Sequence, residues 1–228
     1  MRISGRKRQR HRLRRFVVEV SVAGAVLQIL GGAIQPSGAA TATKTTPKRQ
    51  AAIASGVQYD SQTGDPASAA ARGVQALGLV HLAWQDVLPG WQIVFRGARK
   101  GYLAMTMTPE RRIEVYVRQD RSIDAIAHDI AHELGHAVDV TYNGDSQRTQ
   151  YLSLRGLDQR LTWWTCSGCT DLDVPAGDFA ETFAQWAGPT YRNYSNLAPR
   201  PSQELVRTIA KAMYPGATAD GDPASPGH

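Results

Sequence analysis

Five consecutive residues carry the strongest chemical signal in the chain: His132, Glu133, Leu134, Gly135 and His136. On a helix, positions four apart lie one above the other on the same face. Two imidazoles placed in that way can share one Zn2+, each at about 2.0–2.1 Å. Glu133 projects to the side of the pair, within reach of a water activated by the metal rather than of the metal itself. A carboxylate there takes the water's proton and delivers it to a leaving amine. This spacing therefore predicts metal-assisted hydrolysis. His132 and His136 are the expected metal ligands, Glu133 the general base, and one catalytic Zn2+ the cofactor.

Catalytic zinc keeps three protein ligands and one open position. Candidates for the third lie about 45 residues downstream, in the run from Ala176 to Ala184. Asp178 and Glu181 are three apart, so on a helix both carboxylates can turn to one metal. Phe179 and Phe183, four apart, would seat that helix in the core. Glu181 has the longer reach and is favoured over Asp178; the other acid would orient a ligand histidine. His128 extends the histidine row by one more turn. A further turn is ~5.4 Å, too far to share the metal, so His128 is expected to pack, to support a ligand or to touch substrate. Asp129 and Asp139 flank the motif and could accept a ring N–H or stand as solvated charges.

The HELGH motif followed by the helix from Asp178 to Ala184 resembles the gluzincin-type zinc metallopeptidases. It is most similar to small secreted bacterial zincins and to the catalytic domain of anthrax lethal factor, over roughly residues 112–187. In that family the downstream helix often reads E-x-F-A-E, with its first acid on zinc. Here Gly177 stands at that first position and Asp178 follows it. The resemblance implies a zincin-like α+β fold and cleavage of peptide bonds in a peptide or protein substrate. It also implies that strand 112–118, before the active helix, is the sheet edge that holds extended substrate. Gly177 motivates an alternative, a catalytically weak zincin-like domain that binds a peptide or a cell-wall component. A third reading is a membrane-anchored interaction protein with a structural zinc, for which His128 or the second acid would have to close the site.

Between the two metal-motif segments lie Trp163, Trp164, Cys166 and Cys169. Two cysteines cannot form a four-cysteine zinc site, and no strand-then-helix context suggests redox chemistry. In an oxidising compartment a local Cys166–Cys169 disulfide that stiffens this loop is expected. The tryptophans would wall the cleft or cover the core. Tyr191 and Tyr194 are candidates to stabilise an oxyanion, or surface packing residues; spacing selects neither.

These groups need elements to position them. The Ala-rich pattern over 66–88 predicts a helix begun by Pro66 and stopped by Pro89 and Gly90. Alternation predicts strands over 91–98, 102–108 and 112–118, with Ile113, Val115 and Val117 on one face. Three consecutive strands suggest a small antiparallel-rich sheet packed on the active helix. Ser122 can N-cap that helix, expected to run to about Val140. Helices are also expected at 145–156, 178–187 and 201–213, with loop at 161–175. The fold class expected is α+β with a mainly helical C-terminal half.

The chain has 228 residues, enough for one domain of 66–214 with appendages. Its 42% hydrophobic and 20% charged residues exclude a mainly disordered chain and a multi-span membrane protein. The net charge of +6 is concentrated at the start, where eight Lys or Arg lie in residues 1–15. Beyond residue 42, 18 bases face 19 acids, so charge gives no argument for a nucleic-acid partner. The apolar stretch from Phe16 to Ile34, then small residues to Ala42, fits a signal peptide over 1–42. A retained membrane anchor is the alternative. Residues 43–65 read as a flexible linker and 215–228 as a disordered tail. The expected protein is monomeric and secreted, or held on the outer face of the cytoplasmic membrane by its N-terminal segment alone.

Overall fold

The computed structural model describes residues 57–59, 66–164, 170–189, 191–218 and 220–223. The leader, the 1–42 signal or anchor, and Cys166 and Cys169 with their expected disulfide lie outside the described residues. Among the described residues no helix is long and apolar enough to cross a membrane.

The fold is α+β: a small mixed sheet packed on a long central helix, followed by a mainly helical half. The order is β1 (Val57–Tyr59), α1 (Pro66–Leu77), α2 (Trp84–Val87), β2 (Gln92–Arg96), β3 (Ala104–Met107) and β4 (Arg112–Tyr116). Then come α3 (Ile123–Tyr142), α4 (Asp145–Arg155), a single 3-10 turn (Asp171–Asp173), α5 (Pro175–Ala187) and α6 (Gln203–Met213). The helix expected over 66–88 is thus two helices. It breaks after Leu77, and the chain resumes helix at Trp84. Strand β1 falls in the stretch expected to be a linker.

The sheet departs from the antiparallel arrangement expected of three consecutive strands. Its order is β1-β2-β4-β3, with β1 parallel to β2, β2 parallel to β4, and only β3 antiparallel to β4. β2, β3 and β4 still alternate in direction, but β4 inserts between β2 and β3. Residues 97–103 form a loop long enough to step over two strand spacings of about 4.8 Å each. Strand 112–118, expected at the edge, is therefore interior; the edge beside α3 is β3. The interior place suits β4, whose Ile113, Glu114, Val115 and Tyr116 are all buried. Glu114 tolerates burial because Arg96 donates to it at 2.7 Å and the Tyr116 hydroxyl at 2.8 Å. Burial alone would raise the Glu114 carboxyl, but these hydrogen bonds and the arginine charges bring it below its ordinary range.

Helix α3 starts where Ser122 accepts the Ala125 N–H through its side chain, 3.2 Å away. It is buried on every side from Ala125 to Asp139, as a central helix must be. Ile126, Ile130 and Leu134 join the core formed with Ile93, Phe95, Ile113 and Val115. Each such burial contributes about 1.5–3 kcal/mol. The helix packs most closely on α5, and small residues permit the approach. A Cβ at Gly135 would stand 2.9 Å from the Ala180 Cα. Phe179 and Phe183, as expected, drive α5 into the core, where they meet Tyr214 edge-on at 5.3 and 4.8 Å.

Residues 215–218 and 220–223 differ from the disordered tail expected. Trp186 Nε1 donates to the Gly221 carbonyl at 2.9 Å, Arg207 pairs with Asp222, and Ala217 bridges Pro223. A buried indole N–H needs an acceptor, and this segment supplies it.

Candidate metal centre

Helix α3 carries His128, His132 and His136 along one side, the four-residue spacing that helical geometry dictates. Two of them converge with an acid from another part of the chain. Asp171 Oδ2 lies 2.9 Å from His132 Nε2 and 3.1 Å from His136 Nε2. One ligand atom from each of His132, His136 and Asp171 falls within 4.8 Å of the others, and all three residues are buried. The imidazole rings meet edge to face at 4.9 Å. One carboxylate oxygen flanked by two imidazole nitrogens either receives two N–H groups or shares a cation with them. The donor set, two imidazole nitrogens and one carboxylate, suits a first-row divalent metal such as zinc and leaves a fourth position.

The electrostatics follow from burial. Burial pushes the Asp171 carboxyl up, but the charge of His136 and the hydrogen bonds from both imidazoles bring it well below the ordinary carboxylate range. Burial likewise disfavours protonated His132, yet Asp171 and Glu181 on its two nitrogens outweigh this and raise it well above its ordinary value.

Glu181 and Asp178 do not occupy the third position. Glu181 Oε1 lies 2.9 Å from His132 Nδ1 and 3.2 Å from His128 Nε2, while Oε2 accepts the Tyr194 backbone N–H at 2.8 Å. Glu181 thus engages Nδ1 of His132 while Nε2 of the same ring faces Asp171. Asp178 turns away altogether. Its carboxylate accepts from Arg155 at 2.8 and 3.0 Å, from the Tyr151 hydroxyl at 2.7 Å and from Ser195 at 2.6 Å. The reason is angular: residues three apart on a helix differ by about 60° in direction. That is enough to send Glu181 to α3 and Asp178 to α4.

Asp171 escaped the sequence reading because it lies in a loop with no period. Its place is marked by Gly177. A Cβ at Gly177 would stand 2.6 Å from the Asp171 carbonyl carbon and 3.0 Å from its Cγ, with the carbonyl oxygen nearer still. The backbone of the 171–173 turn lies where a side chain at 177 would begin. Gly177 and the aspartate beside the histidines are thus one structural feature.

The remaining candidates fall as follows. Glu133 is buried and accepts the Thr106 hydroxyl at 2.6 Å through Oε2. Burial raises its carboxyl above the ordinary range, against the pull of His136 and His132. His128 supports Glu181 and packs between Tyr191 and Tyr194, with ring centroids at 5.4 and 5.6 Å. Among the described residues, its Nδ1 and that of His136 have no hydrogen-bond partner. Asp129 and Asp139 are not solvated charges. Arg121 pairs with Asp129 at 2.8 Å, and Arg148 and the Trp163 indole hold Asp139. Trp163 packs on Tyr151 and Phe179 as part of the core, whereas Trp164 lies 6.0 Å from His136 and borders the site. Comparison of the chain with protein-family models, with curated proteins and with solved structures finds no match, so the functional reading rests on the geometry of this site.

Proposed function

We propose that the chain is a zinc-dependent peptidase of zincin type, and that His132, His136 and Asp171 hold the ion. The observation that carries this reading is the convergence of Asp171 Oδ2 on both Nε2 atoms of an HELGH helix. Zinc bound there would lower the pKa of water toward 7 and polarise a peptide carbonyl. The chain's own residues supply the rest. Glu181 holds His132 in the tautomer that presents Nε2. Glu133, with Oε2 engaged by Thr106, keeps Oε1 to take a proton from water and pass it to the leaving amine. Its raised pKa suits a group that must both accept and return a proton. The resemblance to gluzincins belongs to this proposal, with Asp171 in place of the family's helical glutamate. So do a peptide or protein substrate, a monomeric state, and export through the 1–42 segment with anchoring as the alternative.

The experiment is zinc per chain in purified residues 43–228, with cleavage of a peptide library. About one zinc and cleavage by the wild type are expected. Glu133→Gln should keep the zinc and lose turnover by a factor on the order of 10^2–10^4. Cleavage undiminished in Glu133→Gln would refute the assignment of the base.

One observation favours a second reading, in which the metal is structural and the domain binds rather than cuts. His132, Glu133 and His136 are 0, 2 and 1% exposed. Full zinc with no cleavage of any library peptide by the wild type would establish that reading instead.

A further inference from the structure

Thr106 is a polar residue on the buried face of the edge strand. In register it aligns with Ile113 and, through it, with Ile93, both fully buried on the side of the sheet that faces α3. A third apolar side chain would continue that row. Instead a hydroxyl stands there, fully buried, and it must find a partner. It finds two oxygens of one residue. The Thr106 Oγ1 lies 2.6 Å from Glu133 Oε2 and 3.1 Å from the Glu133 carbonyl oxygen. A hydroxyl has one proton, and the shorter contact to the carboxylate receives it. Among the described residues this is the carboxylate's hydrogen bond, made through Oε2 and not through Oε1.

We propose that Thr106 is a positioning residue for the general base. It acts by pinning Oε2 of Glu133, so that Oε1 is presented in one rotamer toward the His132–His136–Asp171 centre. This rests on the peptidase reading above. It also gives β3 a role apart from main-chain pairing: the edge strand fixes the base that α3 carries. A glutamate side chain has three rotatable bonds, and a base displaced by 1 Å loses much of its rate.

The test uses Thr106→Val, which matches shape without the hydroxyl, and Thr106→Ser, which restores the hydroxyl. Each is measured in residues 43–228 for zinc content, kcat and KM. The expected result for Thr106→Val is unchanged zinc, unchanged KM and kcat lower by roughly 10–100-fold, the loss of one hydrogen bond to a charged group. Thr106→Ser should recover kcat to within about threefold of wild type. A second readout needs no metal and no turnover. In the metal-free protein, Thr106→Val and Glu133→Ala are combined in a double-mutant cycle by thermal unfolding. Coupling should make the double variant's Tm shift differ from the sum of the singles by about 3–10 °C. If Thr106→Val does not fold, Thr106→Ala against Thr106→Ser carries the same comparison. A wild-type kcat in the hydroxyl-free variant, or additive shifts in the cycle, overturns the proposal while leaving the peptidase reading intact. A zinc-loaded wild type that cleaves nothing overturns both.

Discussion

Gly177→Ala should cost the protein its metal although residue 177 has no side chain to bind one. The new Cβ would stand 2.6 Å from the Asp171 carbonyl carbon and 3.0 Å from Cγ. Carbon atoms in contact settle near ~3.5–4.0 Å, so Asp171 must retreat by about 1 Å. Neither side can yield freely, because Gly177 lies in the first turn of α5 and the 171–173 turn is tied to it. The Val174 N–H bonds the Asp171 carbonyl at 3.1 Å and the Ala176 N–H bonds the Trp163 carbonyl at 3.0 Å. Zinc ligand distances hold to within about 0.2 Å. A 1 Å displacement therefore removes one of three ligands, and zinc affinity should fall by at least about 100-fold. Stability should change far less. Overpacking costs about 1–3 kcal/mol, and alanine repays up to ~1 kcal/mol of helix propensity. The assay is competition for zinc with a chromophoric chelator, with metal-free Tm beside it. Asp171→Ala should lose zinc to the same extent, and the double variant should be no worse than either single. Zinc affinity within threefold of wild type in Gly177→Ala would refute the argument that Gly177 seats the aspartate ligand.

Other consequences can be checked on the same protein. Asp178→Ala should leave zinc binding within a few fold of wild type while lowering stability by about 3–5 kcal/mol, because Arg155 loses its buried partner; denaturant unfolding and zinc titration measure both. Glu181→Ala should weaken zinc by roughly 10–100-fold by freeing the His132 ring, and an unchanged affinity would remove its orienting role. Arg121→Met should destabilise the fold by about 3–5 kcal/mol in denaturant titration, since it leaves the buried Asp129 without its ion pair. Burial pushes the Asp129 carboxyl up to about 6, against the pull of Arg121. The folded state thus holds that proton more tightly than the unfolded chain, whose carboxyl titrates near ~3.9. The stabilisation is complete below the unfolded pKa and is lost as pH rises through about 6. Metal-free wild type should therefore lose stability relative to Asp129→Asn between those limits; parallel curves would show that Asp129 does not titrate there.

Much of the centre was legible in the sequence because it depends on one helix. His132, Glu133 and His136 are set by a spacing that any α-helix turns into a face, and Ser122 marks where that helix starts. The helix of Asp178 and Glu181 was equally visible, with Phe179 and Phe183 directing it inward. Period and cap chemistry are local, and the chain cannot form these helices without displaying them. What the sequence could not decide was which acid reaches the histidines. Asp178, Glu181 and Asp171 are all buried acids, and their roles separate only when neighbours are placed. Arg155 and Tyr151 claim Asp178, His128 and His132 claim Glu181, and the close seat at Gly177 delivers Asp171. The same holds for the sheet. Alternation identified β2, β3 and β4, but the order in which they pair is a matter of which strand can be buried on both faces. β4 took the interior and left Thr106 at the edge beside Glu133. Contacts between residues distant in sequence are chosen by packing and charge pairing in three dimensions, and neither leaves a period along the chain.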